Sequence, residues 1–153
     1  MCFSVFKFIN ALSLLVNKVL YDYNGNIKIY REAIVGWMGR RHNWDVDPDH
    51  IFSTHGLVNG TALCVQSFTN VGDSIVLFTP VYHAFSRVIN AADRKIIECE
   101  LEINNGRYEM NFDKYDSQMD GSAKMAILCS PHNPGGRIWS IAELKQVAAF
   151  AEK

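Results

Sequence analysis

Three short apolar runs, each bounded by turn residues, constrain this chain more than any other feature. They are residues 74–78 (SIVLF), 95–99 (KIIEC) and 124–129 (KMAILC). The apolar side chains are continuous rather than alternating, the pattern of strands covered on both faces. Between and around the runs lie segments of helical character at 62–68, 80–92 and 112–119. A last helix opens at Ser140-Ile141-Ala142-Glu143, a capping box in which the serine hydroxyl accepts from the N3 amide and the glutamate reaches back. Ile141, Leu144, Val147 and Ala148 give that helix its expected buried face. Strands alternating with helices specify an α/β fold with a mostly parallel sheet and flanking helices.

Upstream, Phe8, Leu12, Leu15, Val16 and Val19 recur at three- and four-residue intervals, the stripe of an amphipathic helix. Lys7, Asn10, Asn17 and Lys18 break the run well short of the ~20 apolar residues that a membrane span needs, and no small-residue cleavage site follows. A packed helix is therefore expected rather than an anchor or a leader. After the polar turn Asn24-Gly25-Asn26, a second stripe comprises Tyr30, Ile34, Trp37 and Met38. It ends in Gly39-Arg40-Arg41-His42, a solvated basic cluster suited to a helix C-terminus. Pro48 marks a turn before the apolar residues 51–53. The expected organisation is an N-terminal helical segment, 1–23, leading into one domain over 24–153.

Composition removes several function classes. With 153 residues, 15 basic against 16 acidic side chains and 48% hydrophobic residues, the chain suits an ordinary globular domain rather than a disordered or fibrous one. A net charge of −1 lacks the electrostatic footprint of a nucleic-acid binder. Cys2, Cys64, Cys99 and Cys129 contain no CxxC pair, and the last three sit in apolar runs. They read as buried free thiols in a reducing cytoplasm. His42, His50, His55, His83 and His132 form no HxxxH or HExxH spacing, so no metal site is expected.

Three segments carry unusual local chemistry. In Gly56-Leu57-Val58-Asn59-Gly60 two glycines flank a helix entry. Backbone can approach a ligand closely there, and free N–H groups at a helix start favour an anion such as phosphate. A plain strand-to-helix turn explains the segment about as well. Thr79-Pro80-Val81-Tyr82-His83-Ala84-Phe85 follows a strand, and ligands of open α/β sheets lie beyond strand carboxyl ends. Tyr82 could lie against a flat ligand there, although physics alone favours a helix-capping turn with a core tyrosine. In Ser130-Pro131-His132-Asn133-Pro134-Gly135-Gly136 two prolines and two glycines hold Asn133 in a rigid turn after another strand. Its amide can orient a ligand oxygen; an Asx-type turn that only joins strand to helix also fits.

Taken in order, AIVGWMGRRHNW (33–44), TPVYHAF (79–85) and SPHNPGGRIW (130–139) resemble the pyridoxal-phosphate enzymes of the aspartate-aminotransferase fold. The histidines and the double glycine point to their cystathionine β-lyase and cysteine-S-conjugate β-lyase branch, since general aminotransferases more commonly carry NPTG. The resemblance runs from about Phe8 to the end of the sequence. It implies part of the family's large domain, with pyridoxal 5′-phosphate as cofactor. Gly56, Leu57 and Val58 match the turn whose amides hold the cofactor phosphate. Tyr82 matches the ring that stacks on the pyridine, and Asn133 the asparagine that bonds the phenolic oxygen. Tyr23, in LYDY, matches a tyrosine reaching across a homodimer to the neighbouring subunit's phosphate, with Asp22 where a glycine is common.

The same resemblance implies parts that these residues do not supply. Family members are more than twice this long. An aspartate that pairs with the pyridinium nitrogen, the lysine that forms the Schiff base and an arginine for the substrate carboxylate all lie beyond the final helix. Lys145 and Lys153 read as solvated surface. The chain is thus expected to be a fragment with no catalytic residue of its own, weak reversible cofactor binding at best, and no turnover. In the intact family the reaction would split the Cβ–S bond of cystathionine or an S-conjugated cysteine, giving pyruvate, ammonia and a thiol. Transamination on the same scaffold is the alternative. A third reading, of another class, is a non-catalytic dimerising or binding remnant that a separate C-terminal half would complement. No nucleic-acid or membrane partner is expected.

Overall fold

The computed structural model describes residues 28–153. The expected helix around Phe8–Val19, Tyr23, Cys2 and the boundary at 23/24 lie outside the described residues. Two compact units divide at residue 56/57.

In the first unit, α1 (Lys28–His42) buries only Met38, and Arg40, Arg41 and His42 occupy its last turn. Cations belong there, beside carbonyls that have no intrahelical partner. Asn43, at φ +48, ends the helix, and its N–H donates to Gly39 O at 3.1 Å. A 3-10 turn over Pro48–His50 is capped by the Asp47 carboxylate, which accepts from Asp49 N–H at 2.8 Å. Arg31 pairs with Asp49 at 3.0 Å and ties the turn to α1. Residues 51–53 form no regular element.

The second unit contains α2 (Leu57–Phe68), β1 (Ser74–Thr79), α3 (Ala84–Ala91) and β2 (Lys95–Glu100), then a hairpin of β3 (Glu102–Asn104) and β4 (Arg107–Glu109). After it come α4 (Phe112–Asp116), β5 (Ala123–Ile127) and α5 (Ile141–Ala151). The main sheet has the order β2–β1–β5, all parallel. Ser74 to Phe78 on central β1 are all buried, and successive side chains serve opposite faces. Ile75 and Leu77 meet Val65 of α2 and Phe85 and Ile89 of α3. Val76 and Phe78 meet Cys99, Leu101, Tyr115, Trp139 and Phe150 on the other face. The α/β fold with a parallel sheet is as expected, and the continuous apolar run of β1 is the residue-level cause.

Element ends differ from expectation for identifiable reasons. The helix expected at 62–68 begins at Leu57, because Gly56 (φ +87) makes the break while Gly60 stays inside the helix. The helix expected from Pro80 begins at Ala84, after a turn in which Phe85 N–H donates to Tyr82 O. Only a turn was expected near 104–106; it is the tip of a hairpin, with Asn105 (φ +49) and Gly106 (φ +76) in the left-handed region. The helix expected over 112–119 stops at Asp116, and the third strand is Ala123–Ile127.

Two expectations about burial are corrected. On α5, Ile141 is 75% exposed and Leu144 39%, whereas Phe150 is buried. The Phe150 ring packs on Phe78, Phe112 and Tyr115, with centroids 5.6–6.3 Å away. The aromatic cluster lies under the C-terminal turn of α5, so that turn buries its side chains in place of the first. Of the three described cysteines, only Cys99 is buried; Cys129 is half-buried and Cys64 exposed. Cys64 lies on the outward stripe of α2 with Leu57 and Phe68. Among the described residues no helix is long and apolar enough to cross a membrane, and no cluster could hold a metal ion.

Candidate functional site

Parallel pairing fixes where the ligand edge lies. Leu77 of β1 pairs with Ile127 of β5, so both strands deliver their following loops to one end of the sheet. Tyr82 follows the end of β1 by three residues and Asn133 follows the end of β5 by six. At the opposite end, Arg94, just before β2, donates through Nε to Thr69 Oγ1 at 3.0 Å and through Nη2 to Thr69 O at 2.6 Å. Thr69 directly follows the C-terminus of α2. The N-terminus of α2 therefore points toward the end that carries Tyr82 and Asn133.

That helix start leaves backbone donors open. Gly56 turns at φ +87, and a Cβ placed on it would meet no atom within 4 Å. Its own N–H is used, donating to Thr54 O at 2.9 Å, while Thr54 Oγ1 donates to Gly56 O at 3.1 Å. The N–H groups of Leu57 and Val58 belong to the first helical turn, which leaves its amides without intrahelical acceptors. Both residues are exposed. The positive end of the α2 dipole adds to them.

Tyr82 is half-buried beside the apolar cluster under β1. Its ring meets His83 edge-on at 4.9 Å and Phe85 at 5.8 Å and 88°. These contacts restrict the ring. The ring packs against that cluster and remains partly open.

Asn133 is exposed at the tip of a turn closed by a bridge between His132 and Arg137. The His132 N–H donates to Arg137 O at 2.7 Å and the Gly136 N–H to His132 O at 2.8 Å. Arg137 is the turn's anchor: its guanidinium lies 4.0 Å from the Trp139 ring centroid, bonds both Glu143 oxygens at 2.6 Å and donates to Tyr108 O. Trp139 Nε1–H in turn donates to Cys129 O at 2.9 Å. Glu143 also accepts from the Ser140 N–H at 2.7 Å and completes the expected capping box. Partial burial alone would raise the Glu143 carboxyl, but the Ser140 N–H and the Arg137 guanidinium outweigh it and bring it down to about 2. The asparagine turn is therefore clamped to the first turn of α5.

Of the residues proposed from sequence, Leu57, Val58, Tyr82 and Asn133 are delivered to one sheet end, with Gly56 as the turn that starts α2; Tyr23 lies outside the described residues. The sequence assigns no role to His132 or Arg137 individually. The capping-box glutamate was legible, but its bond to an arginine six residues earlier was not.

The chain is similar to known proteins along most of its length. The family described as Aminotransferase class I and II matches residues 17–153. Cystathionine beta-lyase PatB of Bacillus subtilis (strain 168) is 34% identical over 135 residues, covering 88% of this chain and 35% of PatB. A probable aspartate aminotransferase of Methanocaldococcus jannaschii is 27% identical over 135 residues, 88% of this chain and 35% of that protein. Among solved structures, cystalysin from Treponema denticola, which contains a pyridoxal 5′-phosphate cofactor, superposes with a TM-score of 0.85 at 36% identity. That match covers 94% of this chain and 37% of cystalysin. The chain thus spans little more than a third of the length of these relatives. With the family model matching residues 17–153 and a relative 34% identical over 88% of the chain, the chain belongs to the aminotransferase class I and II family.

Proposed function

We propose that these residues form the phosphate- and ring-binding part of a pyridoxal-phosphate-dependent carbon–sulfur β-lyase. The observation that carries this reading is the convergence of the open α2 N-terminus, the Tyr82 ring and the clamped Asn133 turn at one sheet end. Support for the lyase branch comes from the identities to PatB and cystalysin.

The residues present fit the cofactor. Leu57 and Val58 N–H groups would donate to its phosphate, with Gly56 providing space for close approach. The Tyr82 ring would lie against the pyridine, and the Asn133 side-chain amide would donate to the phenolic oxygen. When bound, the cofactor supplies an electron sink for breaking the Cβ–S bond of a cystathionine-like or S-conjugated cysteine substrate, with pyruvate, ammonia and a thiol as products. None of the residues 28–153 offers a lysine or arginine at this sheet end in the role that the resemblance assigns to those types. We therefore read the 153 residues as a binding scaffold without turnover, which assembles as a homodimer or with a separate C-terminal portion. The free thiols suit a cytoplasmic setting. Transamination remains a second reading, supported by the aspartate-aminotransferase relative.

The test is a thiol-release assay on cystathionine with the purified chain and added pyridoxal phosphate, followed by borohydride reduction and peptide mapping. The reading expects no thiol and no single lysine fixed to the cofactor. Thiol release, or one lysine modified to completion, would overturn it.

A further inference from the structure

His132 is the only histidine among those described that is buried, at 3% exposure, and its surroundings are specific. The Gly135 N–H donates to its Nδ1 at 3.2 Å. The ring stands edge-on to Trp139 at 5.5 Å and tilted to Tyr108 at 5.9 Å. Nε2 is sealed from solvent and meets no hydrogen-bond partner of good geometry among the described residues, while backbone groups of Phe78 and Pro80, at the end of β1, lie beside the ring. Gly135 belongs to the same arrangement: a Cβ added there would press into His132 Nδ1 and stand 2.7 Å from Tyr108 Cδ2.

A nitrogen that accepts from an amide carries no proton, so the neutral ring is protonated at Nε2. That N–H faces the backbone where β1 leaves the sheet, between its last residues and Tyr82. We infer that His132 is the positioning residue of the asparagine turn: as its neutral Nε2–H tautomer it ties the turn to the end of β1 and so fixes Asn133 relative to Tyr82. The inference rests on the cofactor reading only for the ligand that Asn133 receives.

Protonating Nδ1 would remove the acceptor for Gly135 N–H and bury a second cation near Arg137. The groups facing His132 from its neighbours are Arg137 in the same turn, Tyr108 of β4 and, behind Arg137, Glu143 of α5; Cys129 lies at the start of the turn. Glu143 is already engaged by Arg137, so no carboxylate is left to stabilise an imidazolium. Burial, with Arg137 adding to it, lowers the affinity of the ring for its proton. The ring stays neutral at pH 7, and a drop below the ordinary histidine range releases the turn.

The experiment uses the 15N-labelled 153-residue chain. Long-range 1H–15N correlations report the His132 tautomer, and amide exchange reports protection at Gly135, each followed from pH 8 to pH 4.5. The same measurements and a titration with pyridoxamine 5′-phosphate, which has no aldehyde to react with lysines, are repeated on His132→Asn and His132→Leu. We expect the Nε2–H tautomer at pH 7 and Gly135 protection that falls about tenfold as His132 titrates, while Ile75 and Leu77 keep theirs, as for loss of one hydrogen bond. His132→Asn, which keeps an acceptor near Nδ1 but lacks the Nε2–H, should hold Gly135 protection without the pH response; both it and His132→Leu should weaken probe binding about tenfold. Titration of His132 like an exposed histidine, Gly135 protection indifferent to its charge, or unweakened binding in His132→Leu would overturn the positioning role. The wild-type titration decides even if His132→Leu fails to fold. An intact His132 signature with no probe binding would remove the cofactor reading and leave the positioning role standing.

Discussion

Glycines in this chain differ in what a single methyl would do. Gly39, inside α1 with open space around its Cβ position and no left-handed φ, gains from substitution. Gly39→Ala should stabilise the chain by up to about 1 kcal/mol in urea unfolding, through helix propensity. Gly135 is the opposite case, because its Cβ would push His132 and Tyr108 apart. Gly135→Ala should cost about 1–3 kcal/mol and move the His132 and Trp139 resonances. The thiols separate in the same way. Burial pushes the Cys99 thiol up to about 11, whereas Cys64 is exposed. Maleimide at pH 7 should label Cys64 within minutes and Cys99 only on unfolding, as read by peptide mapping. All cysteines but Cys2 lie in apolar runs, and sequence alone could not separate them: which stripe of α2 faces the sheet is decided by Val65 meeting β1, not by the composition of the run.

At the scale of elements, the capping box of α5 is more than a helix start. Ser140 and Glu143 announce it in sequence, and the structure adds Arg137, so one carboxylate serves both helix and asparagine turn. The folded carboxyl sits near 2 against an ordinary 4.5, so its contribution is complete above about pH 4.5 and is lost as pH falls toward 2. Glu143→Gln should lower stability at pH 6 by at most about 3 kcal/mol, a ceiling since the side chain is 23% exposed. The difference between variant and original should shrink at pH 3 in urea melts. The sheet's two edges also contrast. β2 presents Lys95, Glu98 and Glu100 as exposed charges, which discourage pairing with another strand. Exposed β5 positions are Lys124 and Ala126, two charges fewer to guard an edge that no described strand covers. Sedimentation should show concentration-dependent association that Ala126→Lys suppresses; equal association in both chains would exclude the β5 edge.

For the whole molecule, the parallel α/β plan was legible because the run at 74 is apolar on both faces and helix-length segments separate it from the short, largely apolar runs at 95 and 124. The hairpin of β3 and β4 was not, since Glu102, Asn104 and Arg107 are polar and exposed and Glu109 is a half-buried charge, and only Asn105-Gly106 marks it. The candidate site was legible as three motifs in order. Its supporting frame, in which positions 108, 132, 137 and 143 converge, arises only once the chain has folded. The chain spans 35–37% of PatB and cystalysin, and the central claim is that this portion already holds the phosphate and ring of the cofactor. Chemical-shift mapping of the 153-residue chain titrated with pyridoxamine 5′-phosphate tests that claim most directly. The account predicts saturable shifts at the Leu57 and Val58 amides, the Tyr82 ring and the Asn133 side-chain amide. Absence of saturation, or saturable shifts confined to residues elsewhere, would contradict it.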